Sequence, residues 1–78
     1  MTDETIVLDA IGLLCPLPVL KARKRLKSMD PGAVLTLLVD DPAAIVDVPH
    51  FCSEAGHEYL GVEDAENHQI HRLKKAGG

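Results

Sequence analysis

Tryptophan is absent from this chain, and its aromatic residues are one phenylalanine, Phe51, and one tyrosine, Tyr59. Single-stranded nucleic-acid binders stack bases on several aromatic rings, so that class is disfavoured and the core has to be aliphatic. Cysteine is scarce as well. Cys15 and Cys52 are too few for a small disulfide-stapled domain, which usually carries four or more. No apolar run approaches the roughly 20 residues that a membrane-spanning helix needs. The acidic start Met1-Thr2-Asp3-Glu4 does not read as a secretory signal. A cytoplasmic setting with free thiols is therefore expected, with no membrane partner. Gly12 is isolated, so there is no Gly-rich phosphate loop, and neither a nucleophile elbow nor a serine-triad pattern occurs.

A length of 78 residues predicts one domain, 1–78. A chain this short buries only about 60% of the surface it exposes when unfolded, which leaves no room for a cofactor domain; no cofactor is expected. The net charge of −4 is unevenly spread, because five of the eight basic residues lie between Lys21 and Lys27. A cationic segment on an acidic protein points to an acidic protein partner more than to nucleic acid. The chain is expected to be a monomer when free.

Residues 5–10 read as a strand, Gly12 as a turn, and Cys15-Pro16 as the opening of a helix that runs to about Met29. Val19, Ala22, Leu26 and Met29 recur at helical spacing and form its apolar stripe. Asp30-Pro31-Gly32 is a stop. Residues 33–39 are almost uniformly apolar, as in a central, well-covered strand. Asp41 suits an N-cap and Pro42 a first helical residue, so a second helix is expected up to Ala55, with Gly56 as its stop. Pro49 should kink or split that helix. Residues 58–63 and 68–73 read as strands joined by a turn at Asn67 and its acidic neighbours. The order β-α-β-α-β-β predicts an α+β two-layer sandwich, a four-stranded mixed sheet with two helices on one face.

Cys15 is the leading functional candidate. A residue before proline is pushed toward extended backbone, which suits an N-cap, and Pro16 then suits the first helical position. The sulfur would face the unpartnered N–H groups of Leu17 and Val19, since Pro16 and Pro18 have none to offer. The helix dipole favours an anion there, and such thiols commonly fall from ~8.5 toward 7 or below. A substantial thiolate fraction is the expectation, provided Leu13, Leu14 and Leu17 do not enclose the sulfur. The alternative is a small buried cysteine that only caps a turn.

Cys52 shares a helical stripe with Ile45, Val48 and Ala55 and reads as a packing residue. Pairing with Cys15 as a redox couple would require Cα atoms within about 7 Å. His50, Cys52 and His57 do not have a zinc-site spacing, so no metal is expected. His68 and His71, three apart on a strand, should face opposite sides as solvated or edge residues. Lys21, Arg23, Lys24, Arg25 and Lys27 include like-charge i,i+4 pairs with no interleaved glutamate, an arrangement mildly unfavourable to the helix itself. It reads either as a solvated face or as a docking surface that steers an acidic partner toward Cys15.

Leu8-Asp9-Ala10, Gly12-Leu13, Cys15-Pro16-x-Pro18-Val19, Arg23-Lys24, Met29-x-Pro31-Gly32, Asp40-Asp41-Pro42-Ala43, Asp47-x-Pro49, Phe51-Cys52 and Gly56-His57-Glu58 together resemble the TusA/SirA-like sulfur carrier family. The resemblance runs from Leu8 to about Leu73. It implies the same β-α-β-α-β-β fold and a persulfide on Cys15. The implied donor is a cysteine desulfurase or rhodanese-like protein, followed by a downstream sulfur-acceptor protein. Routes in the family lead to tRNA 2-thiolation, molybdenum cofactor or sulfur oxidation. Members of the tRNA-thiolation branch often carry an acidic residue between the two prolines. Leu17 stands there in this chain, beside the sulfur that partners approach, and leaves donor and acceptor open. Gly12, Pro16, Leu17 and Pro18 are the expected supporting loop. A thiol redox protein using Cys15 and Cys52, and a non-catalytic regulatory interaction module, are the other readings.

Overall fold

Thr5–Asp9 forms strand β1, Leu17–Lys27 helix α1, Val34–Val39 strand β2, Ala44–Ala55 helix α2, Glu58–Asp64 strand β3 and Gln69–Lys74 strand β4. These come from a computed structural model that describes residues 5–76. The strands build one mixed sheet in the order β1-β2-β4-β3. β1 lies parallel to β2, with Ile6 opposite Leu35, while β4 runs antiparallel to both β2 and β3. A parallel pair needs a crossover, and α1 supplies it. The fold is the α+β arrangement that the element order predicts.

Leu35, Leu37 and Val39 of β2 are fully buried, as is Leu73 of β4. They meet Ala22 and Leu26 of α1, Met29 just beyond it, and Ala44, Val48, Phe51 and Cys52 of α2. The other sheet face carries Val7, Arg72 and Lys74, all exposed. Both helices therefore cover the same face. The α1 stripe is the expected one, with Val19 packed at its edge.

The α2 stripe is not. Ile45 is 46% exposed and Ala55 is exposed, whereas Ala44 and Phe51 are buried. The helix is turned so that its one aromatic ring enters the core. A phenylalanine buries 150–250 Å² on ordinary scales, and at about 25 cal/mol per Å² that outweighs covering an alanine and half an isoleucine.

The start of α2 also differs in detail. Ala44 N–H donates to the Asp41 carbonyl at 3.0 Å and Ile45 N–H to that of Pro42 at 3.3 Å, so a tight turn precedes the helix proper. Asp41 is thus not the N-cap and Pro42 not the first helical residue: Ala43 holds the cap position with no side-chain cap, and Asp41 Oδ1 instead closes the preceding turn by accepting the Ala43 N–H at 3.1 Å. Gly56 ends the helix in the left-handed region at φ 83°, which glycine adopts without steric cost. Pro49 does not split α2, which runs unbroken across it. The carbonyl that loses its donor belongs to Ile45, an exposed residue that water can serve.

His71 is a correction. It is fully buried, not solvated, because β4 is an interior strand and its helix-facing residues are covered. Gln69 Nε2 donates to the Asp41 carbonyl at 3.1 Å. That orients the amide so that Gln69 Oε1 accepts from His71 Nε2–H at 2.8 Å, leaving Nδ1 to accept from the Tyr59 hydroxyl at 2.9 Å. His68 lies in the β3–β4 turn, before the strand begins.

Burial holds the pKa of His71 below its ordinary value, and burial with nearby Lys75 does the same for His57. The unfolded chain therefore takes up these protons first. Their contribution to stability is complete above the unfolded histidine value of about 6.5 and is lost as pH falls below it. The urea midpoint is expected to drop between about pH 7.5 and about pH 5.5, and to drop less in His71→Gln.

Candidate functional site

Two loops meet at one end of the parallel β1–β2 pair, the first leading from β1 into α1 and the second from β2 into α2. Consecutive aspartates on the second loop hold the first. Asp40 Oδ1 accepts the Gly12 N–H at 3.0 Å, and Asp41 Oδ2 accepts the Cys15 N–H at 2.6 Å. Gly12 has φ 89°, the left-handed turn that lets the chain reverse there. Asp9 Oδ1 closes the near side by accepting the Ile11 N–H at 2.9 Å. Asp41 is itself anchored from the sheet through Gln69.

Cys15 is exposed at this junction, but it is not the N-cap. Pro16 holds that place, with φ −97° and ψ 14°, and the Cys15–Pro16 peptide is cis. Leu17 N–H, an expected partner of the sulfur, donates instead to the Leu14 carbonyl at 2.9 Å. The thiol turns toward α2 and donates to Asp47 Oδ2 at 2.6 Å.

The expected lowering of its pKa is therefore reversed. The hydrogen bond to Asp47, then desolvation, then the charges of Asp47 and Asp41 push the Cys15 thiol above its ordinary value. A carboxylate in direct contact stabilises the protonated sulfur, and a helix start one residue further on does not offset it. Enclosure by leucines plays no part: Leu14 is 70% and Leu17 49% exposed, and only Leu13 turns to the core. Pro18 is buried beneath the loop.

The basic residues of α1 are all exposed, but they do not form one face. Arg23 leans over Phe51, with its guanidinium carbon 5.6 Å from the ring centre, and borders a groove of about 240 Å³ between the helices. Cys15, Pro16 and Asp47 lie at one end of that groove, with His50 and Glu54 along its α2 side. Lys27 continues the same side toward Lys75. Lys21, Lys24 and Arg25 border the opposite flank, near Leu8 and Ser28. Leu13, Leu17 and Leu20 extend that flank toward the Cys15 loop.

Cys52 is buried, and burial pushes its thiol up to about 11, in keeping with a packing role. His50 pairs with Glu54 at 3.8 Å, and His57 Nδ1 accepts the Ala76 N–H at 3.0 Å. Among the described residues no group of three or more His, Cys, Asp or Glu side chains is placed to hold a metal ion, and no helix is long and apolar enough to cross a membrane.

Asp47, quoted above only as part of Asp47-x-Pro49, had no role assigned to it from sequence, and the structure sets its carboxylate against the sulfur. The signal for it was topological. Asp47 lies one turn into the helix that follows β2, the strand paired in parallel with β1, and there it meets the loop leaving β1.

The family model described as "Sulfurtransferase TusA" matches residues 6–75. YrkF of Bacillus subtilis (strain 168), described as a candidate sulfur carrier protein, is 42% identical over 77 residues. That match takes in 99% of this chain and 42% of YrkF, so the chain spans less than half the length of this relative. The crystal structure of a SirA-like protein from Desulfitobacterium hafniense is 30% identical, with a TM-score of 0.76 over 94% of this chain and 99% of that one.

Proposed function

This chain belongs to the TusA sulfurtransferase family, and on that basis we propose that it carries sulfane sulfur as a persulfide on Cys15 between a donor and an acceptor protein in the cytoplasm. The observation that supports this most is the contrast between the two cysteines. Cys15 is exposed on a loop held in place by two aspartates, while Cys52 is buried in the core. Gly12, Pro16, Leu17 and Pro18 shape the loop around the sulfur.

The chemistry is exchange at sulfur. Cys15 Sγ attacks the terminal sulfur of the donor persulfide, the donor S–S bond breaks, and Cys15–S–SH forms. The thiol proton ends on the leaving donor sulfur, and the transferred sulfur keeps its oxidation level. An acceptor cysteine then takes that terminal sulfur by the same step. A cysteine desulfurase or a rhodanese-like protein suits the donor role, and tRNA 2-thiolation, molybdenum cofactor synthesis or sulfur oxidation suits the destination. Incubation with a cysteine desulfurase and cysteine, followed by intact mass measurement, tests this. The expected result is a gain of one sulfur that disappears when an acceptor protein is added. No gain from any persulfide donor overturns the reading.

Lys21, Arg23, Lys24, Arg25 and Lys27 serve docking, Arg23 and Lys27 along the groove and the other three on the far flank. Rim charges act mainly on association rate. Lys21→Glu with Lys24→Glu is expected to slow loading by a protein donor by about tenfold at low salt, with the difference shrinking as salt rises. Loading by a small persulfide should stay unchanged. Equal slowing with both donors would remove the docking role.

A further inference from the structure

We propose that Asp47 restrains Cys15, holding its sulfur protonated and slow to react until a partner draws the carboxylate away. The inference rests on the reading of Cys15 as the sulfur-bearing residue and concerns how that residue is controlled. The thiol's hydrogen bond is to Oδ2 of Asp47, a half-buried residue one turn into α2. Asp41 is turned to the backbone instead, its two carboxylate oxygens accepting the Cys15 and Ala43 N–H groups.

Among the described residues the ion pairs are His50–Glu54 and Arg72–Glu63, and neither includes Asp41 or Asp47. The charged groups around the sulfur can be named element by element. α1 contributes Arg23, which stacks on Phe51. The β2–α2 loop contributes Asp41, with Asp40 held by Gly12. α2 contributes Asp47, His50 and Glu54. Ionising the thiol would break its hydrogen bond and set a third negative charge beside Asp47 and Asp41. The free protein therefore keeps its exposed sulfur as a thiol, although exposure alone would leave it open to alkylators and oxidants.

For transfer, the thiol proton must leave Sγ as the bond to the donor's terminal sulfur forms, and it ends on the departing donor sulfur. Asp47 stands at the start of that path. A contact that displaces or neutralises its carboxylate lowers the cost of removing the proton, so the carrier reacts within a complex and stays inert in transit.

The test is alkylation of the full chain by iodoacetamide across a pH series, followed by intact mass, for wild type, Asp47→Asn and Asp47→Ala. The wild-type rate is expected to rise with pH through an inflection above the ordinary thiol value of about 8.5. In both variants the inflection should move down by about one unit or more, so that the rate near neutral pH rises about tenfold. Asparagine keeps the shape of the side chain and decides the matter if the alanine variant folds poorly. An unchanged profile in Asp47→Asn overturns the proposal, and so does a wild-type inflection at or below that of free cysteine, which needs no variant at all. Loading of the wild type by a persulfide donor is read separately. Its failure would sink the carrier reading and leave the titration standing, whereas a failed titration would sink the restraint alone.

Discussion

Cys15→Ser is expected to abolish sulfur uptake completely, while Cys52→Ala takes up one sulfur as the wild type does. The difference follows from access. A donor persulfide has to bring its terminal sulfur into contact with the attacking atom, and Cys15 is exposed at the end of an open groove. Cys52 is 1% exposed and packs with Val48 and Phe51 against the sheet. Its thiol, pushed up to about 11, is almost wholly protonated at neutral pH, and reactivity follows the thiolate. Serine keeps the size of the side chain at position 15 and can still donate to Asp47, so the loop should keep its shape. The readout is intact mass after incubation with a cysteine desulfurase and cysteine. Persistence of the added sulfur in Cys15→Ser would remove the site assignment. Its loss in Cys52→Ala, in a variant that still melts cooperatively, would assign the second cysteine a part that its burial gives no reason to expect.

Leu37→Ala is expected to lower stability by about 2–5 kcal/mol, the usual cost of emptying a leucine site in a packed core. Leu37 is fully buried on the central strand β2, between β1 and β4 and beneath both helices. For a chain of this length the whole stability is on the order of 4–12 kcal/mol, so one such cavity removes a large part of it. Val7, at 63% exposure on the open face of the sheet, provides the contrast. Val7→Ala should change stability by less than about 0.5 kcal/mol. Urea denaturation checks both: the midpoint should fall sharply in Leu37→Ala at an unchanged slope and stay nearly fixed in Val7→Ala. Similar shifts for the two would mean that the helices do not cover the face described.

The fold was legible because its signals are local. Strand runs, turn residues and the stops at Asp30-Pro31-Gly32 and Gly56 each fix a short stretch, and their order leaves few topologies. The α1 stripe was legible for the same reason, since from Lys21 to Lys27 every position off it is charged. On α2 two apolar stripes compete, one through Ile45 and Ala55 and one through Ala44 and Phe51, and only the volume available against the sheet chooses between them. His71 went unread because strand order, not strand pattern, decides whether a histidine lies at an edge or in the interior. Cys15 was singled out by its neighbours, yet the sign of its pKa shift was not legible there. That sign depends on Asp47, 32 positions away in the chain, and no spacing rule brings those two together before the parallel pairing of β1 and β2 is known.

That same distance has a consequence for protein engineering. The turn from Asp9 to Pro18 takes its shape from Asp40 and Asp41, while its sulfur is oriented by Asp47 and its clamp is braced from β4 through Gln69. It is a discontinuous unit. Transplanting the Cys-Pro-Leu-Pro segment alone onto another scaffold would carry the cysteine without the parts that position it. A working graft has to move two loops and the first turns of α2 as one block, with a sheet residue to brace them.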